Sequence, residues 1–76
     1  MRYTIIITTH KNQRLHYRTN NSKLIIFMLD CAADSLNISI AKTLTDNELL
    51  IIEAYLDASK SCEVIDNFTK QCIILP

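Results

Sequence analysis

The chain has 76 residues, 49 % hydrophobic and 21 % charged, with eight cations, eight carboxylates and a formal net charge of zero. That is enough for one small domain and too apolar for a disordered one. The absence of glycine excludes the glycine-rich phosphate loops, dinucleotide fingerprints and nucleophile elbows on which common nucleotide-dependent and hydrolytic enzymes rest.

The zero net charge conceals a sorting by position. Residues 1–23 hold Arg2, Lys11, Arg14, Arg18 and Lys23 with no acid, a block of +5. Residues 24–76 hold every carboxylate (Asp30, Asp34, Asp46, Glu48, Glu53, Asp57, Glu63 and Asp66) against Lys42, Lys60 and Lys70, a block of −5. Such asymmetry raises the expectation of a charged partner without naming it.

Residues 2–9 (RYTIIITT) are dense in β-branched and aromatic side chains, which predicts a strand. After a break at His10–Gln13, Arg14, His16 and Arg18 alternate with Leu15, Tyr17 and Thr19, the pattern of a half-buried strand. The two strands are expected to form a hairpin with one basic face. Asn20, Asn21 and Ser22 are helix N-cap candidates. From Lys23 onward Leu24, Ile25, Met28, Leu29, Ala32 and Leu36 recur at helical spacing, with Asp30, Asp34 and Asn37 on the other side. Ile26 and Phe27 fall off that stripe and keep a strand over 24–29 open.

A third strand is expected over Ile38–Leu44, with Ile38, Ile40 and Leu44 on alternate sites. Thr45-Asp46-Asn47-Glu48 matches the capping box, in which threonine oxygen and glutamate satisfy each other's exposed backbone donors. It predicts a helix over 46–59 with Leu49, Ile52, Tyr55 and Leu56 as its core stripe and the like-charged pair Glu53 and Asp57 opposite. Residues 62–66 and 71–75 read as two strands around a turn at Asn67, although Val64, Ile65 and Phe68 also fit a helical face. The stretch 44–70 resembles a helix-turn-helix in cadence. Its second segment, however, carries Glu63 and Asp66 with Lys70 as its one cation, the wrong sign for a major groove. Without glycine, left-handed turns and helix C-caps fall to asparagine or another costlier residue, and Asn12, Asn20, Asn21, Asn37, Asn47 and Asn67 lie near the expected breaks.

Cys31, Cys62 and Cys72 are odd in number and lack metal-knuckle spacing, so reduced thiols are expected, with a Cys62–Cys72 contact across the last hairpin as the alternative. His10 and His16 have no cysteine or carboxylate nearby in sequence. No catalytic residue, metal or cofactor is assigned. No apolar run approaches the ~20 residues of a membrane span and no leader peptide is legible, so an unprocessed cytoplasmic protein is expected. Its usage of Ile, Asn, Lys, Thr and Ser is that of an AT-rich coding sequence, which in so small a protein fits a phage or mobile element.

These features predict a single α+β domain over 1–76, a small mainly antiparallel sheet with two helices packed on one face. The expected function is a non-enzymatic protein-binding module, an inhibitor or adaptor of phage type. It would dock its acidic surface, Asp46, Glu53, Asp57 and Glu63, onto a host or target protein with a basic surface. A homodimer is also expected, through pairing of the edge of the Ile-rich first strand. The alternative function is a small nucleic-acid-binding regulator using Arg2, Lys11, Arg14, His16 and Arg18, interleaved with Tyr3 and Tyr17. Alternation sends the tyrosines to the core side, which weakens that alternative by removing a stacking platform.

Overall fold

A computed structural model describes residues 1–75. In chain order it contains β1 (Tyr3–Thr9), β2 (Arg14–Thr19), α1 (Ser22–Ala32), the one-turn α2 (Ile38–Ala41), α3 (Asp46–Ala58), β3 (Ser59–Asp66) and β4 (Gln71–Leu75). The strands form one antiparallel sheet in the order β2-β1-β3-β4. This is the expected α+β domain, with helices on one face of a small antiparallel sheet.

Alternation decides which residues meet the helices. Tyr3, Ile5, Ile7 and Thr9 of β1 are buried while Thr4, Ile6 and Thr8 are only half-buried. The register carries that face across the sheet, since Ile5 lies between Tyr17 and Val64, and Ile7 between Leu15 and Cys62. Helix α1 supplies Leu24, Ile25, Phe27 and Met28 to the core, and α3 supplies Ile51, Ile52 and Tyr55. Ile5, Ile7, Leu24, Met28 and Cys62 retain no accessible surface. Among the described residues no helix covers the other face of the sheet.

Turn chemistry does without glycine by placing three other residues in the left-handed region. Asn12 (φ 62°) closes the β1–β2 hairpin, where the Thr9 and Gln13 backbones bond at 2.8 Å and the Gln13 N–H donates to Thr9 Oγ1 at 3.1 Å. Asp34 (φ 57°) follows α1 at the position glycine ordinarily takes. There the Ser35 N–H donates to the Asp30 carbonyl (2.8 Å) and the Asp34 N–H to the Cys31 carbonyl (3.1 Å), the paired bonds of a Schellman ending. Lys70 (φ 65°) ends the β3–β4 turn, whose start is held by Asp66 Oδ1 accepting from the Phe68 and Thr69 N–H groups.

Several expectations are corrected. The first strand is not an edge: β1 is central, paired on both sides, and the edges are β2 and β4. Ile38–Leu44 is not a strand. The Asn37 side chain accepts from the Ser39 and Ile40 N–H groups and starts a helical turn instead, leaving Ile38 exposed. Leu49 and Leu56 are outside the core of α3, and Ile51 takes their place. Phe27 is core and Leu36, beyond the end of α1, is exposed. Residues 59–66 are a strand, which removes the helix-turn-helix likeness. Cys62 pairs in register with Leu75 and Cys72 with Ile65, so the two thiols sit on opposite faces, and all three cysteines are free.

The capping box forms as predicted. The Thr45 N–H donates to Glu48 Oε1 at 3.0 Å, and the Glu48 N–H donates to Thr45 Oγ1 at 3.2 Å. Asn21, the N-cap of α1, donates from Nδ2 to Glu48 Oε2, so one carboxylate ties together the starts of both long helices. Hydrogen bonds from the Thr45 backbone and, in lesser part, Asn21 hold the Glu48 carboxyl below its usual pKa against the opposing effect of burial. Thr45→Ala is expected to cost about 1 kcal/mol and to lower the melting temperature by roughly 4–8 °C in a domain of this size. Circular dichroism melting checks this, and an unchanged melt would place the helix start elsewhere.

Candidate functional site

Among the described residues no group of three or more His, Cys, Asp or Glu side chains is placed to hold a metal ion, and no helix is long and apolar enough to cross a membrane. Two surface regions concentrate exposed apolar and charged side chains.

The first is the outer face of α3. Helical geometry sets Asp46, Leu50, Glu53 and Asp57 at intervals of four, three and four residues in one stripe about 16 Å long. Leu49 and Leu56 flank it along one side. All six side chains are exposed, with Leu50 at 61 %, Leu56 at 57 % and Leu49 at 41 % of full accessibility. The buried side of the helix, Ile51, Ile52 and Tyr55, is on the opposite arc. A helix kept merely in water carries polar residues on this face, whereas here three leucines stand among three acids. Composition did not reveal this, because α3 is apolar around most of its circumference and its period does not single out one side.

Glu63 is not part of that face. It lies on β3 in register with Ile6, on the side of the sheet away from the helices. The four acids expected to act together are therefore split between two surfaces, with Asp46, Glu53 and Asp57 on one and Glu63 on the other.

The second region is the open face of the sheet. Arg14, His16 and Arg18 are exposed in a row on edge strand β2, with neighbours in the row about 7 Å apart. Beyond them lie Thr8, Ile6 and Thr4 of β1, then Ser61, Glu63 and Ile65 of β3. Lys11 is in the hairpin tip. Arg2 is not a free member of this set. Its guanidinium bonds Asp66 Oδ2 at 3.2 Å and lies 5.1 Å from the Tyr3 ring centroid and 5.5 Å from that of Phe68. Burial works against ionisation of Asp66, but hydrogen bonds from Arg2, Phe68 and Thr69 outweigh it and hold the carboxyl below its ordinary pKa. Arg2 is thus engaged in closing the β1–β3 end of the sheet. Tyr3 and Tyr17 point to the helical side, so the cation row has no aromatic surface beside it.

Comparison with known proteins adds no relative: no protein-family model, no curated protein and no solved structure matches this chain.

Proposed function

We propose that this protein is a non-enzymatic protein-binding module, of the inhibitor or adaptor kind encoded by phages and mobile elements, acting in the cytoplasm through the outer face of α3. The observation that carries this reading is the exposure of Leu49, Leu50 and Leu56 among Asp46, Glu53 and Asp57. The leucines supply apolar area to bury, and the acids around them select a partner whose apolar groove is rimmed by Lys and Arg. In this arrangement affinity resides in the leucines, and encounter rate and salt dependence reside in the carboxylates.

Affinity capture from host lysate with the wild-type chain, followed by binding measurements on the captured protein, tests the reading. Leu50→Ala with Leu56→Ala is expected to weaken binding about 100-fold, at roughly 1–2 kcal/mol per truncated anchor. Glu53→Lys with Asp57→Lys is expected to slow association and invert its salt dependence. Both double variants are expected to keep the wild-type circular-dichroism spectrum, because none of the four side chains is in the core. Wild-type affinity in both variants would refute the proposal.

A second reading, a nucleic-acid-binding regulator, draws on the row Arg14, His16 and Arg18. It requires oligonucleotide binding that weakens steeply with salt and is lost on replacing Arg14 and Arg18. The acid–leucine face of α3 has no part in such a mechanism, which is why the protein partner is preferred.

A further inference from the structure

The two edges of the sheet are unlike. Edge strand β2 is guarded by Arg14, His16 and Arg18, the kind of charge that discourages strand addition. Edge strand β4 (QCIIL) has neither charge nor proline, and it leaves Ile73 at 43 % and Ile74 at 73 % exposure, one on each face of the sheet. Its unpaired side presents a row of backbone donors and acceptors flanked by apolar side chains.

Beside it the helical layer stops short. A groove of about 250 Å³ lies between α1 and the β3–β4 end of the sheet, walled mostly by apolar side chains, Ile25, Ile26, Leu29, Val64 and Ile73 among them, with Asp66 also in its lining. Its outer walls, Ile26 and Ile73, are both exposed. A bare strand edge and an adjoining apolar groove are met together by an occupant that brings both a strand and aliphatic side chains.

We propose that this occupant is a second copy of the chain, its β4 pairing antiparallel with this one about a two-fold axis at Ile73 to give a continuous eight-stranded sheet. Pairing about Ile73 is the register that engages all five residues of β4. On the helical side it sets Ile73 against Ile73 of the second copy, joining the two grooves. On the open side it sets Cys72 against Ile74 of the second copy, and no charged residue falls within the seam.

The remaining charges suit this assembly. Glu63 is three strand spacings across and two residues along from its counterpart, about 16 Å away. The two cationic β2 strands become the outer edges, seven spacings or about 33 Å apart. The assembly closes as a dimer, since the edges that remain are the guarded ones. Pairing of β4 with β2 would run head to tail without closing and would set an apolar strand beside the cation row.

This surface is separate from the outer face of α3, and the test separates them. Sedimentation of the full chain over a concentration series is expected to show a monomer–dimer equilibrium. Ile74→Lys replaces an apolar seam side chain by one whose ammonium turns to Glu63 of its own chain, removing the contact with Cys72 of the second copy, and is expected to shift the dimer midpoint about tenfold or more to higher concentration. Leu50→Glu, on α3, is expected to leave the midpoint unchanged. Ile74→Cys places a thiol opposite Cys72 of the second copy, within disulfide reach, and mild oxidation is expected to give a covalent dimer whose crosslink maps to positions 72 and 74. Circular dichroism of each variant confirms folding, as Ile74 lies outside the core. A wild-type chain that stays monomeric throughout its soluble range overturns the proposal. So does a dimer that responds to Leu50→Glu but not to Ile74→Lys, or a crosslink that joins Cys72 to Cys72.

Discussion

Ile5→Ala is expected to destabilise the protein by about 2–5 kcal/mol, the usual cost of truncating a fully buried aliphatic side chain without collapse of the site. Ile5 has no accessible surface and sits on the central strand between Tyr17 and Val64, so little around it can close on the gap. A chain of this size has a total stability of roughly 4–11 kcal/mol, and the loss removes about half of it. Ile6→Ala, one residue along, truncates a half-buried side chain on the open face and is expected to cost about 1 kcal/mol. Urea titration of the two variants measures the difference directly. Equal losses would mean that the face of β1 turned to the helices has been misassigned, and with it the register of the whole sheet.

The second large effect is alkaline. Burial pushes the Cys62 thiol up to about 11 from an ordinary value of 9.0, with a smaller contribution from Glu63. The unfolded chain releases this proton near pH 9 and the folded chain retains it, so between pH 9 and 11 the unfolded state binds fewer protons and stability falls as pH rises. A shift of this size corresponds to roughly 2–3 kcal/mol, present in full below pH 9 and lost as the pH approaches 11. Burial raises the Cys31 thiol and the Tyr55 hydroxyl as well, so both act in the same direction. Cys62→Val keeps the site apolar and cannot ionise. Its urea midpoint is expected to fall less than that of the wild type between pH 8 and pH 10.5, and identical pH profiles would rule out Cys62 as the source. A thiol this buried is also expected to resist alkylation at neutral pH while exposed Cys72 reacts.

Both long helices and the first hairpin were legible because short-range chemistry specifies them. The alternation at 14–19 names two faces whatever the strand pairs with, and the box from Thr45 to Glu48 is closed by residues three apart. The same locality explains where reading failed. Ile38, Ile40 and Leu44 alternate as a strand would, but the Asn37 side chain captures two adjacent backbone donors first. Four residues with no sheet neighbour then have no reason to extend.

The acid–leucine face of α3 was legible only by half. Glu53 and Asp57 announce an outward side, yet Leu49 and Leu56 were assigned to the core because Leu49, Leu50, Ile51, Ile52, Tyr55 and Leu56 nearly encircle the helix. A helix with apolar residues on almost every side has no preferred rotation until something packs against it. By itself the sequence determined the chain's charge asymmetry, which composition alone carries, and the starts of its two long helices and the alternation of β2, which rest on residues at most four apart. The tertiary structure alone decided that β1 is central, that β4 is a bare edge, that Glu63 lies apart from the other acids and that Leu50 faces outward. Each of these depends on which distant strand or helix takes a given side, and sequence spacing carries no record of that choice.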